Sequence, residues 1–450
     1  MNLFQQIQSL SSPLKNTKDI DPLLEQIGKS KIVLLGEASH GTHEYYQLRV
    51  EISKRLIIEK GFNFIAVEGD WPDCYKINQY VKGFTDAGPR AYEVLFSFNR
   101  WPTWMWANVE MVYFIEWLRE FNLQRPKDKK VGFYGLDVYS LWESLNVISG
   151  YLQKVDLQAA ESIEKAYRCF EPFSQDVQQY ALTTAFVPGS CEKEVVEMLV
   201  SLRKQLTLLK NESREELFNV EQNAQVVINA EKYYRTMLKG DVSSWNIRDE
   251  AMTQTLERLL DFHEDLLEKK LKPLDFERAG MWPKRAKGIV WAHNTHLGDA
   301  RATDMKETKM INLGELIKKK HGQDVVYSVG FSSYQGSVIA SDEWGALMKR
   351  KKVDPARKGS WEDLFHQIDK ENRLVMWRDV KLSREMLLRR GLRAIGVVYH
   401  PEHESGNYIP TILPEAFDAF IYLEKTKALS PLHMKGVRDK DFPETFPFSV

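Results

Sequence analysis

Cysteine is scarce in this chain: Cys74, Cys169 and Cys191 are the only three in 450 residues. They are odd in number and lack metal-ligand spacing, which fits a reducing cytoplasm. Cys74 reads as ordinary small-residue packing rather than as a nucleophile. Charge of either sign is not in excess, with 62 Lys and Arg against 63 Asp and Glu. No nucleic acid and no anionic membrane surface is therefore expected as a partner. No run approaches the roughly 18 consecutive apolar residues of a membrane span. The opening MNLFQQIQSLSSPL has no charged segment followed by an apolar one, so no signal peptide is expected. Internal repeats and low-complexity segments are absent, and so is the G-x-S-x-G elbow of a serine hydrolase.

What is present is a chain long enough for two or three domain-sized units, rich in aromatics, with 12 Trp and 18 Tyr. Such rings suit a cleft for bulky, partly apolar ligands. The most informative stretch is KIVLLGEASHGTHEYYQLR, residues 31–49. Ile32, Val33, Leu34 and Leu35 read as a buried strand, Gly36 ends it, and Tyr45, Leu48, Ile52 and Leu56 recur at helical spacing. Loops at the carboxyl ends of parallel strands line the ligand crevice of an open α/β sheet. This loop carries Glu37, Ser39, His40, His43 and Glu44, with Arg49 further along the helix.

The pattern repeats. Asn63–Glu68 is a second strand that ends in EGDWPD, placing Glu68 at the sheet mouth beside Asp70 and Trp71. Trp101, Trp104 and Trp106 then precede a helix, either as core or as the wall of a cleft. Val131–Asp137 is a third strand ending in an acid. From about Ser140 to Leu271 long charged amphipathic stretches replace strands, and within them Arg248 and Asp249 read as a helix start. The sheet resumes at Gly288–His293, followed by HNTHLGD, with later strands at Val325–Val329, Leu374–Trp377, Ala394–Tyr399 and Ala419–Leu423. His400, His403 and Tyr408 fall in a Gly/Pro-bounded loop. The expected fold is α/β, a mainly parallel central sheet flanked by helices. Residues 1–140 and 286–450 supply the two parts of the core, and 141–285 a large helical insertion.

Two of the histidine pairs, His40/His43 and His293/His296, each follow a strand, so the loops meet at one end of the sheet. Two chemistries fit. In one, an imidazole oriented by a carboxylate takes a proton from water, which attacks an ester carbonyl, and Arg49 or another His stabilises the oxyanion. Ser39 is a poor nucleophile, because a nucleophile and base adjacent in sequence point apart. In the other, His40, His43, His293 and His296 hold a divalent metal, although H-G-T-H-E is neither H-E-x-x-H nor H-x-x-E-H.

GEASHGTHEYYQLR, VEGDW, WAHNTH and GNYIP…FDAFIYLE occur in this order over nearly the whole chain. In this the sequence resembles the erythromycin esterase family, whose known members hydrolyse macrolactone rings and inactivate macrolide antibiotics. The resemblance implies that His40 is the general base. It implies that Glu37, Glu68, Arg49, His293 and His296 line the pocket and position water or lactone, and that Arg248 faces the substrate. Glu37, Glu68 and His293 are the expected catalytic partners of His40, and Arg49, His43, Glu44, His296, Trp71, Arg248 and Tyr408 the expected substrate-binding residues. The resemblance also implies a small-molecule ester or macrolactone as partner. No cofactor is expected, with a divalent metal as the alternative, and the cysteine usage and opening sequence lead to an expected cytoplasmic location. Some relatives are labelled succinoglycan biosynthesis proteins. A metal-dependent hydrolase, an enzyme of exopolysaccharide metabolism and a non-catalytic carbohydrate-binding relative are the alternative readings.

Overall fold

A computed structural model describes residues 2–84, 88, 90–155, 160–171, 190–206, 213–237, 241–268 and 286–434. Its strands are β1 (Ser11–Pro13), β2 (Ile32–Leu35), β3 (Phe64–Asp70), β4 (Gly132–Asp137), β5 (Gly288–Trp291), β6 (Val326–Ala340), β7 (Lys349–Val353), β8 (Arg373–Met376), β9 (Arg390–Arg393), β10 (Tyr408–Thr411) and β11 (Ala419–Thr426). Nine of them form one sheet in the order β1-β8-β11-β6-β2-β5-β3-β4, with β7 on the far half of β6. The run from β11 to β4 is parallel, and β1, β7 and β8 pair antiparallel at its edges.

The parallel strands are buried on both faces, which is why they read as continuous apolar runs rather than alternating ones. Val33, Leu35, Ile65, Val67, Ile289 and Trp291 join one core cluster. That cluster also takes residues of helices Asp21–Ile27, His43–Lys60, Trp71–Lys82 and Val109–Leu123. The alternate residues Ile32, Leu34, Phe64, Ala66 and Val290 face the other way, onto Met252, Leu256 and Leu259 of helix Asp241–Glu268 and onto helix Leu313–His321. Helices Leu141–Val155, Ala160–Phe170, Glu192–Leu206 and Arg214–Met237 pack around a separate core of their own.

Several elements depart from the sequence reading. Ala394–Tyr399 is not a strand; the strand is β9, just before it, paired with β10 in a separate two-stranded sheet. Arg248 and Asp249 do not begin a helix, because helix Asp241–Glu268 starts seven residues before Arg248. Cys169 and Cys191 are bridged in a disulfide, against the expectation of reduced thiols, and Cys74 is free and buried. A disulfide is unusual in a reducing compartment. Among the described residues no helix is long and apolar enough to cross a membrane.

Two glycines let the site loops close. A Cβ at Gly36 would meet the Asn294 side chain at 2.1 Å, and one at Gly41 would meet the backbone oxygen of Ile339 at 2.0 Å. The loops after β2 and β5 are thereby in contact, with the Asn294 N–H donating to the Glu37 carbonyl at 2.8 Å.

Candidate active site

Each of the four adjacent strands β2, β5, β3 and β4 delivers a polar residue near its carboxyl end: Glu37 and His40 just beyond β2, His293 beyond β5, Glu68 near the end of β3 before Asp70, and Asp137 at the tip of β4. All lie at the carboxyl edge of the sheet, where the strands themselves fix their spacing.

His40 is the centre of the first group. Its Nδ1 donates to Glu37 Oε1 at 3.0 Å, and Glu37 Oε2 accepts from Arg49 Nη2 at 2.7 Å. Glu37 and Arg49 are fully buried, and the Arg49 guanidinium lies over the rings of Tyr46 and Trp291. A buried carboxylate that accepts the Nδ1 proton fixes the orientation of the ring and leaves Nε2 as the nitrogen without a carboxylate partner. That ring lines a cavity of about 460 Å³. His293 stands beside it, ring centroids 5.1 Å apart. Burial and the neighbouring His40 push His293 down to about 3, so it is neutral. Its Nδ1 meets the Thr295 hydroxyl at 2.8 Å and the Thr295 backbone N–H at 3.3 Å. Its Nε2 is buried, with the Ala38 backbone beside the ring, and the residue lines the cavity.

A charged network holds the other side. Glu68 accepts the His293 backbone N–H at 2.9 Å and Arg248 Nη2 at 2.7 Å. Arg248 also forks onto Asp137 at 2.9 and 2.6 Å. His296 lies between Asp249, at 2.9 Å, and Glu68, at 3.4 Å, with Trp245 stacked on its ring. Burial would raise the Glu68 carboxyl, but the charges of His296 and Arg248 hold it well below the usual carboxylate range. For His296, burial works against the charge and is outweighed by Asp249 and Glu68, which raise it to about 9.

This has a measurable consequence. A His whose folded pKa lies above its unfolded value adds stability that is complete below the unfolded pKa and is lost as pH rises through the folded one. Unfolding free energy from urea titrations should therefore fall between pH 6.5 and about 9.5, by an amount on the order of 3 kcal/mol. His296→Gln should flatten that slope. A wild-type stability that is level over this window would contradict a charged His296.

His40, Glu68, His293, His296 and Arg248 line one cavity, with Glu37 and Arg49 directly behind His40. The other expected residues stand elsewhere. His43 opens helix His43–Lys60 and turns to Glu110, 2.6 Å away, with Glu110 and burial pulling it in opposite directions. Glu44 accepts the Lys427 backbone N–H, and Trp71 is core, bonded to Asn219. Tyr408 accepts the Arg357 N–H, while its neighbours Asn407 and Ile409 reach the cavity. The Ser39 hydroxyl is engaged with Thr42. With His43 turned away, the four imidazoles do not converge as the metal reading requires. Among the described residues no group of three His, Cys, Asp or Glu side chains could hold a metal ion.

Several cavity residues were not singled out as site residues from the sequence. Asp137 was noted only as a strand end, and Arg100, Tyr139, Trp245, Thr295 and Trp344 carry no local signal. Asp249, noted as a helix start, stands behind His296. The tryptophan cluster splits: Trp104 is core, whereas Trp101 and Trp106 form cavity wall.

Comparison with known proteins bears on the family and the fold. The erythromycin esterase family model matches residues 57–426, starting after the His40 loop. YbfO of Bacillus subtilis (strain 168), which is named as a hydrolase, is 23% identical over 377 residues, 81% of this chain and 78% of that protein. Erythromycin esterase type II of Escherichia coli is 22% identical over 437 residues, 93% of this chain and 94% of that one. The crystal structure of a succinoglycan biosynthesis protein superposes with a TM-score of 0.71 at 22% identity, covering 95% of this chain and 97% of that chain. At that identity it speaks to the fold alone. With a family model spanning most of its length and the strand-end site that the motifs lead to, the chain belongs to the erythromycin esterase family.

Proposed function

We propose that this protein is a carboxylic ester hydrolase in which His40 activates water. The observation that carries the reading is the His40 ring at the cavity wall: Nδ1 is tied to a buried carboxylate while Nε2 has no carboxylate partner. Nε2 takes a proton from water, the oxygen attacks the ester carbonyl, and the Glu37 carboxylate stabilises the imidazolium that results. His293, beside His40, donates to the oxyanion as it forms. Collapse of the tetrahedral intermediate breaks the bond to the alkoxide oxygen, which receives the proton held by His40. Acid and alcohol are the products, and no co-reactant beyond water is consumed.

A cavity of about 460 Å³ walled by Trp101, Trp106 and Trp344 suits a bulky ester or lactone. A macrolactone is the lead candidate, as in the family members named for that activity. Mass spectrometry of a panel of macrolactones and simple esters incubated with the protein should reveal a substrate that gains one water. If no lactone gains water while sugar esters do, the hydrolase reading stands and the macrolactone is replaced. If nothing in either panel turns over, the hydrolase reading fails.

A further inference from the structure

Beyond Glu68, β3 ends in Asp70, whose Cα pairs with that of Asp137 across β3 and β4. Asp70 Oδ2 is paired with Arg100, but Oδ1 is buried and accepts no hydrogen bond. Asp70 is 7% exposed and lines the same cavity as His40. Along the sheet, β2 and β3 are separated only by β5. At a spacing of about 4.8 Å per strand, Asp70 stands on the order of 10 Å along the cavity from the water-activating end.

The surrounding charges do not cancel. Asp70, Glu68, Asp137 and Asp249 form one buried group of four carboxylates, and the cations set among them are Arg100, Arg248 and His296. With all four carboxylates ionised one negative charge is left over, and the cavity that Asp70, Glu68 and Asp137 line is also lined by Trp101, Trp106 and Trp344. Trp101 and Trp344 meet at 4.6 Å between ring centroids, and Trp344 is 66% exposed at the loop between β6 and β7. An orphaned carboxylate oxygen in a cavity lined by aromatic rings is the chemistry that binds an ammonium group. A neutral hydroxyl would satisfy the hydrogen bond but leave the charge.

We propose that this end of the cavity is a subsite for a protonated or quaternary amine on the substrate, with Asp70 as its counter-ion and Trp101 and Trp344 as its walls. The inference rests on the ester hydrolase reading for the word substrate, but the subsite can be tested by binding alone. It implies that the ester or lactone carries its amine about two strand spacings from the scissile carbonyl.

Asp70 also makes the subsite sensitive to pH. Burial pushes its carboxyl up to about 7; Arg100 opposes this, and Asp137 and Asp73 add to the rise. Tyr234 and Cys74 also face it, both pushed up by burial and protonated in this range. Amine affinity should therefore strengthen as pH rises through about 7.

The experiment compares choline with its neutral isostere 3,3-dimethyl-1-butanol, measured by calorimetry on the whole protein at pH 5.5 and pH 8. Because choline carries its charge at every pH, any pH dependence belongs to the protein. Choline should bind about tenfold more tightly than the alcohol at pH 8, with the preference falling toward unity at pH 5.5. Asp70→Asn should remove the preference at pH 8. Equal affinities in the wild type at pH 8, or a preference that survives in a folded Asp70→Asn protein, would overturn the subsite. If Asp70→Asn does not fold, the wild-type profile decides: a preference that is flat from pH 5.5 to pH 8 overturns it. None of these readouts requires turnover, so failure of the subsite and failure of the hydrolase reading appear in different experiments.

Discussion

His40→Ala should lower kcat for ester hydrolysis by roughly 10²–10⁴-fold, the range that a positioned general base contributes. The fold should survive, because Glu37 keeps its 2.7 Å pair with Arg49 and the main-chain contacts of the loop do not involve the imidazole. Far-ultraviolet circular dichroism and the urea midpoint report on that second half of the result. Added imidazole offers a sharper test. A small base that diffuses into the space left by the ring should restore part of the rate, with a pH dependence set by the free imidazole. Rescue would assign the loss to the missing base rather than to a displaced loop. Turnover at the wild-type level in a folded His40→Ala protein would remove His40 from the chemistry.

Much of this site was legible in the sequence, because parallel strands print plainly as buried runs such as IVLL and FIAVE. Their carboxyl-end residues are then placed by the sheet without further information. Glu37, His40, Glu68 and His293 come from three stretches of chain and meet because β2, β5 and β3 are neighbours. What misled was density along the chain. His43 and Glu44 sit within four residues of His40, yet the helix that begins at His43 carries them to Glu110 and Lys427. Trp71 follows Asp70 directly and opens the next helix, so its ring turns into the core onto Tyr75 and Tyr134. Other features could not be read in one dimension. The Arg100–Asp70 pair spans 30 residues, and Arg248 meets Asp137 over 111. Nothing local in either stretch records its partner. The bridge between Cys169 and Cys191, with a sequence separation of 22, likewise matches no short spacing rule.

Arg248→Met should be the most destabilising single change in the site, at about 3–5 kcal/mol, the cost of removing one partner from a buried charge group. Arg248 has a side chain only 13% exposed and holds both Glu68 and Asp137, each about 4% exposed or less. Methionine fills much of the volume of the stem, so the loss is electrostatic rather than a cavity. Without the guanidinium, one of the two carboxylates must take up a proton or remain as an unpaired buried charge. The sign of the pH dependence follows. In the wild type Glu68 is held below its ordinary value, so its contribution is present above the unfolded pKa and is lost only in strong acid. In Arg248→Met the folded pKa rises, and the mutant is then penalised most where the carboxyl has to ionise. The gap between wild type and mutant in urea unfolding should accordingly be wider at pH 8 than at pH 5. Asp137→Asn introduced on top of Arg248→Met removes one of the stranded charges and should recover part of the loss, which a purely steric defect would not allow. Arg248→Lys keeps the charge but not the fork that reaches Asp137 through two nitrogens, so an intermediate stability is expected. A deficit below about 1 kcal/mol, equal at both pH values, would mean that water already compensates these carboxylates and that the network is weaker than its geometry implies.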